Sequence, residues 1–125
     1  MTMKMRSRLI AEAIGTDHGL RGEFIAEQIG MGFDGLSFYP HNADGARIDG
    51  ALIYFDYTWG GDDYDRSEDN PRLRVYVNRL DDIGVDLFPE DAPPVGTLIP
   101  TISAWVLRMT QEVLDTQFPI DGTAS

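Results

Sequence analysis

Apolar residues change their spacing along this chain, and the changes mark its elements. Met5, Leu9, Ile10, Ala13 and Ile14 recur at helical intervals, and Gly15 stops the run. Leu20, Phe24, Ile25, Gln28 and Ile29 repeat that interval up to Gly30. The spacing predicts two short N-terminal helices joined by a turn.

The period then drops to two. Residues 35–40, GLSFYP, read as a short strand, and 40–50 are turn-rich. In residues 51–59, ALIYFDYTW, alternation puts Ile53, Phe55, Tyr57 and Trp59 on one face and Leu52, Tyr54, Asp56 and Thr58 on the other. Residues 72–80, RLRVYVNRL, alternate likewise, with Leu73, Val75 and Val77 inward and Arg72, Arg74, Tyr76 and Asn78 outward. The two segments should pair antiparallel as one long hairpin. Residues 81–100 are rich in Pro, Gly and Asp, with a short strand expected at 85–88. Ile83, Val85, Leu87 and Phe88 there call for cover. Residues 100–118 form an amphipathic helix with Pro100 in its first turn. Ile102, Trp105, Val106, Met109 and Val113 make its apolar stripe, widened by Leu107, Leu114 and Phe118.

The expected architecture is a single α+β domain spanning 1–125. It has two N-terminal helices, a small antiparallel sheet built on the hairpin of 51–59 with 72–80, and a C-terminal helix packed on that sheet. A chain of 125 residues suits one core.

Composition narrows the chemistry. With no cysteine, disulfides, thiolate catalysis and cysteine-based zinc sites are excluded. No apolar run reaches the length of a membrane span, and Glu12 interrupts the N-terminal apolar residues before they form a signal-peptide core. The expectation is a cytoplasmic protein, or one incorporated into a virion-like particle. Ten basic residues stand against 21 acidic ones, a net charge of −11. Such a field repels phosphate backbones. Before Gly15 the charge is basic, with Lys4, Arg6 and Arg8 against Glu12, while acids dominate from Asp44 to Asp91.

The densest charge lies between the hairpin strands, in TWGGDDYDRSEDNPRLR. Asp63, Asp65, Ser67 and Asp69 alternate like the oxygen ligands of an EF-hand loop. The spacing then fails: Glu68 stands where the glycine belongs and Arg74 where the closing glutamate belongs. No metal is expected there. The connection also exceeds the ~2–5 residues that usually close a hairpin. Asp62, Asp63, Asp65, Glu68 and Asp69, with Trp59 and Tyr64 as aromatic anchors, are instead the expected protein-binding residues.

Other signals are weaker. His18 and His41 sit among turn residues and read as surface histidines. GMGFDG, 30–35, lacks the phosphate-loop and dinucleotide spacings and precedes a strand. GEFIAEQIG carries two glutamates and no base, which argues against insertion into a DNA groove. No catalytic residue and no cofactor is expected. The function expected is a non-enzymatic structural or assembly subunit of a larger particle, such as a bacteriophage-like head–tail or tail component. Its partners would be other copies or neighbouring subunits, with neither nucleic acid nor membrane bound directly. The alternatives are a small acidic inhibitor or immunity protein that blocks a basic nucleic-acid-binding partner, and a small enzyme.

Overall fold

The computed structural model describes residues 6–27, 35–58, 72–79, 84–94 and 96–118. Its elements run α1 (Ser7–Ile14), β1 (Gly22–Ala26), β2 (Leu36–Pro40), β3 (Leu52–Thr58), β4 (Arg72–Asn78), β5 (Val85–Leu87) and α2 (Ile99–Gln117). The strands form one antiparallel meander in chain order, β1-β2-β3-β4-β5. The α+β class, the β3–β4 hairpin and the C-terminal helix on the sheet agree with the sequence pattern.

One expected element is different. The second N-terminal helix is β1, a strand paired with β2 from Gly22↔Pro40 to Ala26↔Leu36. The apolar spacing of Leu20, Phe24 and Ile25 fits a helix only when read locally. Pairing with β2 supplies a ladder that five residues cannot show. Gly22 belongs to that close approach, because a Cβ there would run into the Phe38 ring and the Tyr39 carbonyl.

The core lies between one face of the sheet and the two helices. Phe38, Ile53, Phe55, Tyr57, Leu73, Val75 and Val77 meet Ile10 of α1 and Ile102, Trp105, Val106, Met109, Val113 and Leu114 of α2. Phe55 and Trp105 pack edge to face with centroids 6.1 Å apart. The helices begin side by side, since Arg6 donates through Nη2 to the Thr97 carbonyl at 2.6 Å. At the far end of α2, Arg21 donates to the carbonyls of His41 (2.6 Å) and Phe118 (2.5 Å). That joins the β1–β2 end of the sheet to the helix C-terminus, where a cation suits the dipole.

The cover expected around β5 is incomplete. Val85 is 54% and Phe88 42% exposed. Val85 and Leu87 stand opposite Val77 and Val75, on the core side. Leu87 packs partly against the core, but the strand's outer end lies past it. No helix among the described residues is long and apolar enough to cross a membrane.

Candidate functional site: the second face of the sheet

Trp59, Asp62, Asp63, Tyr64, Asp65, Glu68 and Asp69 lie outside the described residues. The described strands on either side, β3 and β4, are paired up to Thr58 and Arg72. The described polar chemistry gathers on the sheet face opposite the helices.

Side chains there alternate with the core residues, so the register sets the neighbours. Tyr54 stands opposite Tyr76, and Asp56 opposite Arg74. The next strands place Ser37 opposite Tyr54 and Asp86 opposite Tyr76. Hairpin alternation alone leaves Tyr54 and Asp56 on a solvent face, yet they are only 3% and 6% exposed.

Two pairs explain how tyrosines close this face. A Cβ on Gly35 would overlap the hydroxyl and ring of Tyr54, and one on Gly84 would overlap those of Tyr76. Each ring therefore reaches over a glycine on the neighbouring chain segment. The glycines leave the space that the rings fill, a packing device for sheet glycines.

Beside the tyrosine pair, one step along the same face, sits a charged group. Arg74 Nε donates to Asp56 Oδ1 at 2.9 Å and Nη2 donates to Asp56 Oδ2 at 2.6 Å. Its Nη1 reaches Asp86 at 3.3 Å. This two-point geometry is the strong form of an arginine–carboxylate contact. Burial pushes the Asp56 carboxyl above its ordinary pKa, and the Arg74 bonds oppose that rise without cancelling it. The Asp56 bond raises the guanidinium's own pKa. Both Asp56 oxygens are occupied by Arg74, so this pair organises the face.

Nearer β1, Arg47 lies over the Tyr39 ring at 4.2 Å and pairs with Glu23 at 2.5 Å. The Tyr39 hydroxyl donates to Glu27. Burial and this carboxylate raise the Tyr39 pKa. Tyr39, Arg47, Asp49, Leu52 and Asn78 line an open cavity of about 360 Å³. Asn78 Nδ2 fastens its rim by donating to the Gly50 carbonyl at 2.8 Å.

His18, expected as a surface turn residue, lies in a bend and is partly buried. Its ring packs edge-on against Phe24, with centroids 5.2 Å apart, and its Nδ1 accepts the Leu20 N–H at 3.1 Å. Burial lowers its pKa, opposed by Asp17. His41 accepts the Arg21 bond through its carbonyl and bridges to Arg47. Among the described residues, no group of three histidine, aspartate or glutamate side chains could hold a metal ion.

Sequence reading missed that Tyr39, Tyr54 and Asp56 share one face of the sheet and that Asp56 is held by Arg74. A signal was present: a lone aspartate inside an aromatic strand, and an arginine at the matching alternate position of the next. With Leu52 set opposite Asn78, Asp56 falls opposite Arg74. No protein-family model, curated protein or solved structure matches the chain.

Proposed function

We propose that this chain is a non-enzymatic subunit of a larger protein particle, of the kind found in the head–tail or tail parts of bacteriophage-like machines, acting through protein–protein contacts. The observation that carries this reading is that large apolar side chains are left exposed at two places in the fold, the starts of the two helices and β5. Leu9 (51% exposed) lies one helical turn from Arg6, and Leu98 (72% exposed) directly follows the Thr97 that Arg6 binds. Val85 and Phe88 make the second patch, at β5. A subunit that repeats head to tail needs two different surfaces, one for each neighbour. An inhibitor that plugs one cleft needs a single surface.

Charge supports protein over nucleic acid as the partner. Among the described residues, Arg6, Arg21 and Arg72 are engaged by backbone carbonyls, and Arg47, Arg74 and Arg108 by carboxylates. Across the sequence acids outnumber bases 21 to ten, which disfavours phosphates. An acidic surface also suits a subunit beside a DNA passage, since phosphates slide past it without adhering.

The test is light scattering across protein concentration. The wild type should form higher oligomers, while Leu98→Asp and Val85→Asp should each give monomers. Mixing the two variants should restore a dimer, because each retains the patch that the other lacks. A wild type that stays monomeric at every concentration, yet binds a purified basic nuclease tightly, overturns this reading in favour of the acidic inhibitor.

A further inference from the structure

Among the described residues, the first strand of the meander has one partner strand and one unpaired edge. His41 N–H donates to the Arg21 carbonyl, and Glu27 N–H donates to the Gly35 carbonyl. The residues that bond to β2 are thus the odd-numbered ones, 21 to 27. By alternation, the N–H and C=O groups of Phe24 and Ala26 point away from β2. Among the described residues, no strand pairs with that edge. An unpaired edge is a template for another extended chain.

Its side chains restrict what can pair there. Glu23 and Glu27 lie on the second face of the sheet, in line with Ile25 between them. At ~3.3 Å per residue they stand about 13 Å apart along the strand. Glu23 is half-exposed although it pairs with Arg47. A second copy of β1 fits poorly. Pairing Phe24 of one copy with Ala26 of the other, centred on Ile25, sets Glu23 directly opposite Glu27. Like charges in that position destabilise a strand pair.

We propose that the open edge of β1 is a docking site for an extended basic segment of a partner protein, which adds to the sheet as a sixth strand. Its recognition pattern is basic, any, apolar, any, basic. The two basic residues face Glu23 and Glu27, and the apolar one faces Ile25. The bonds come from Phe24 and Ala26, which are independent of side-chain identity and supply the affinity. The two carboxylates supply the selection and the register. This names the chemistry of one neighbour and rests on the assembly reading above.

The edge can be tested alone. The probe is a short synthetic peptide with Lys-Thr-Val-Thr-Lys at its centre, beside a control with Glu in place of both Lys. Amide hydrogen exchange at Phe24 and Ala26 should slow when the basic peptide is added, while Ile25, already bonded to β2, should change little. Ala26→Pro deletes an outward N–H without removing a β1–β2 bond, so it should abolish binding and leave melting nearly unchanged. Should that variant fail to fold, the double variant Glu23→Lys with Glu27→Lys carries the test. It should weaken the basic peptide about tenfold or more and favour the acidic control. Binding indifferent to these changes, or protection elsewhere than Phe24 and Ala26, overturns the proposal. Light scattering of the wild type beside the peptide titration separates the two ideas, and Ala26→Pro should assemble as the wild type does. A wild type that assembles but does not bind the basic peptide sinks the edge and spares the assembly reading. Peptide docking at the edge of a chain that never assembles does the reverse.

Discussion

On one face of the β3–β4 pair, Phe55, Tyr57, Leu73, Val75 and Val77 meet the apolar stripe of α2. On the other, Tyr54 and Tyr76 lie over glycines, and Asp56 is held by Arg74. Phe55 is fully buried and Asp56 nearly so, but by unlike means. The core face needs volume: any well-fitted apolar side chain contributes by leaving water. The tyrosine face needs matched partners, because a ring needs its glycine and a carboxylate needs its guanidinium. The first face should degrade gradually under substitution, whereas the second should fail at particular pairs.

The largest effect is expected on the core face. Phe55→Ala should cost about 3–5 kcal/mol in denaturant unfolding, since it removes a buried ring beside Trp105. Phe55→Leu should cost much less, and a similar loss from both would deny that volume governs this face.

Next come the glycines. Gly35→Ala and Gly84→Ala should each cost about 1–3 kcal/mol by displacing a tyrosine ring. Each should also be partly relieved by shortening that ring, Tyr54→Ala for Gly35 and Tyr76→Ala for Gly84. Additive losses in the double-mutant cycles would show that the rings do not depend on their glycines.

The charged pair should matter less. Asp56→Ala should cost about 1–2 kcal/mol, held down because Arg74 keeps Asp86 and reaches water. Its pH dependence has a definite sign. The folded-state pKa of Asp56 is raised, so the unfolded chain releases this proton first. Its contribution is present below the ordinary aspartate pKa and is lost as pH rises through the raised folded value. Asp56→Asn should flatten that decline in melting temperature above pH 4, and an unchanged profile would contradict it.

The smallest effect should come from His18, whose folded pKa is lowered. Its contribution is present above the ordinary histidine value and is lost as pH falls through the lowered one. Protonation also removes the Nδ1 lone pair that accepts the Leu20 N–H. His18→Phe should remove a shallow loss of stability on acidification below about pH 6.5. A loss equal in both proteins would place the titrating group elsewhere.

The core face was the part written in the sequence. Alternation in β3 and β4 and the stripe of α2 identified it, because each pattern is complete within one element. The tyrosine face depends on register between elements. Nothing within 51–59 tells Asp56 that Arg74 lies across from it, or Tyr54 that Gly35 leaves it room. The reading of β1 as a helix failed for the same reason, since its strand character comes from β2. The acidic residues chosen as a binding tip rest on charge alone and lie outside the described residues. The open edge of β1 could not be seen until that segment was known to be a strand.

Among the described residues, three arginines donate to backbone carbonyls: Arg6 at Thr97, Arg21 at His41 and Phe118, and Arg72 at Ala92. Each joins segments far apart in sequence through a dipole. Ionic strength should therefore act on this fold mainly in one direction. Screening relaxes repulsion among the 21 acids over a Debye length of about 10 Å or less. It hardly loosens short, part-buried bonds between a cation and a dipole. A protein joined this way tolerates crowded negative charge in dilute buffer and becomes firmer as salt is added.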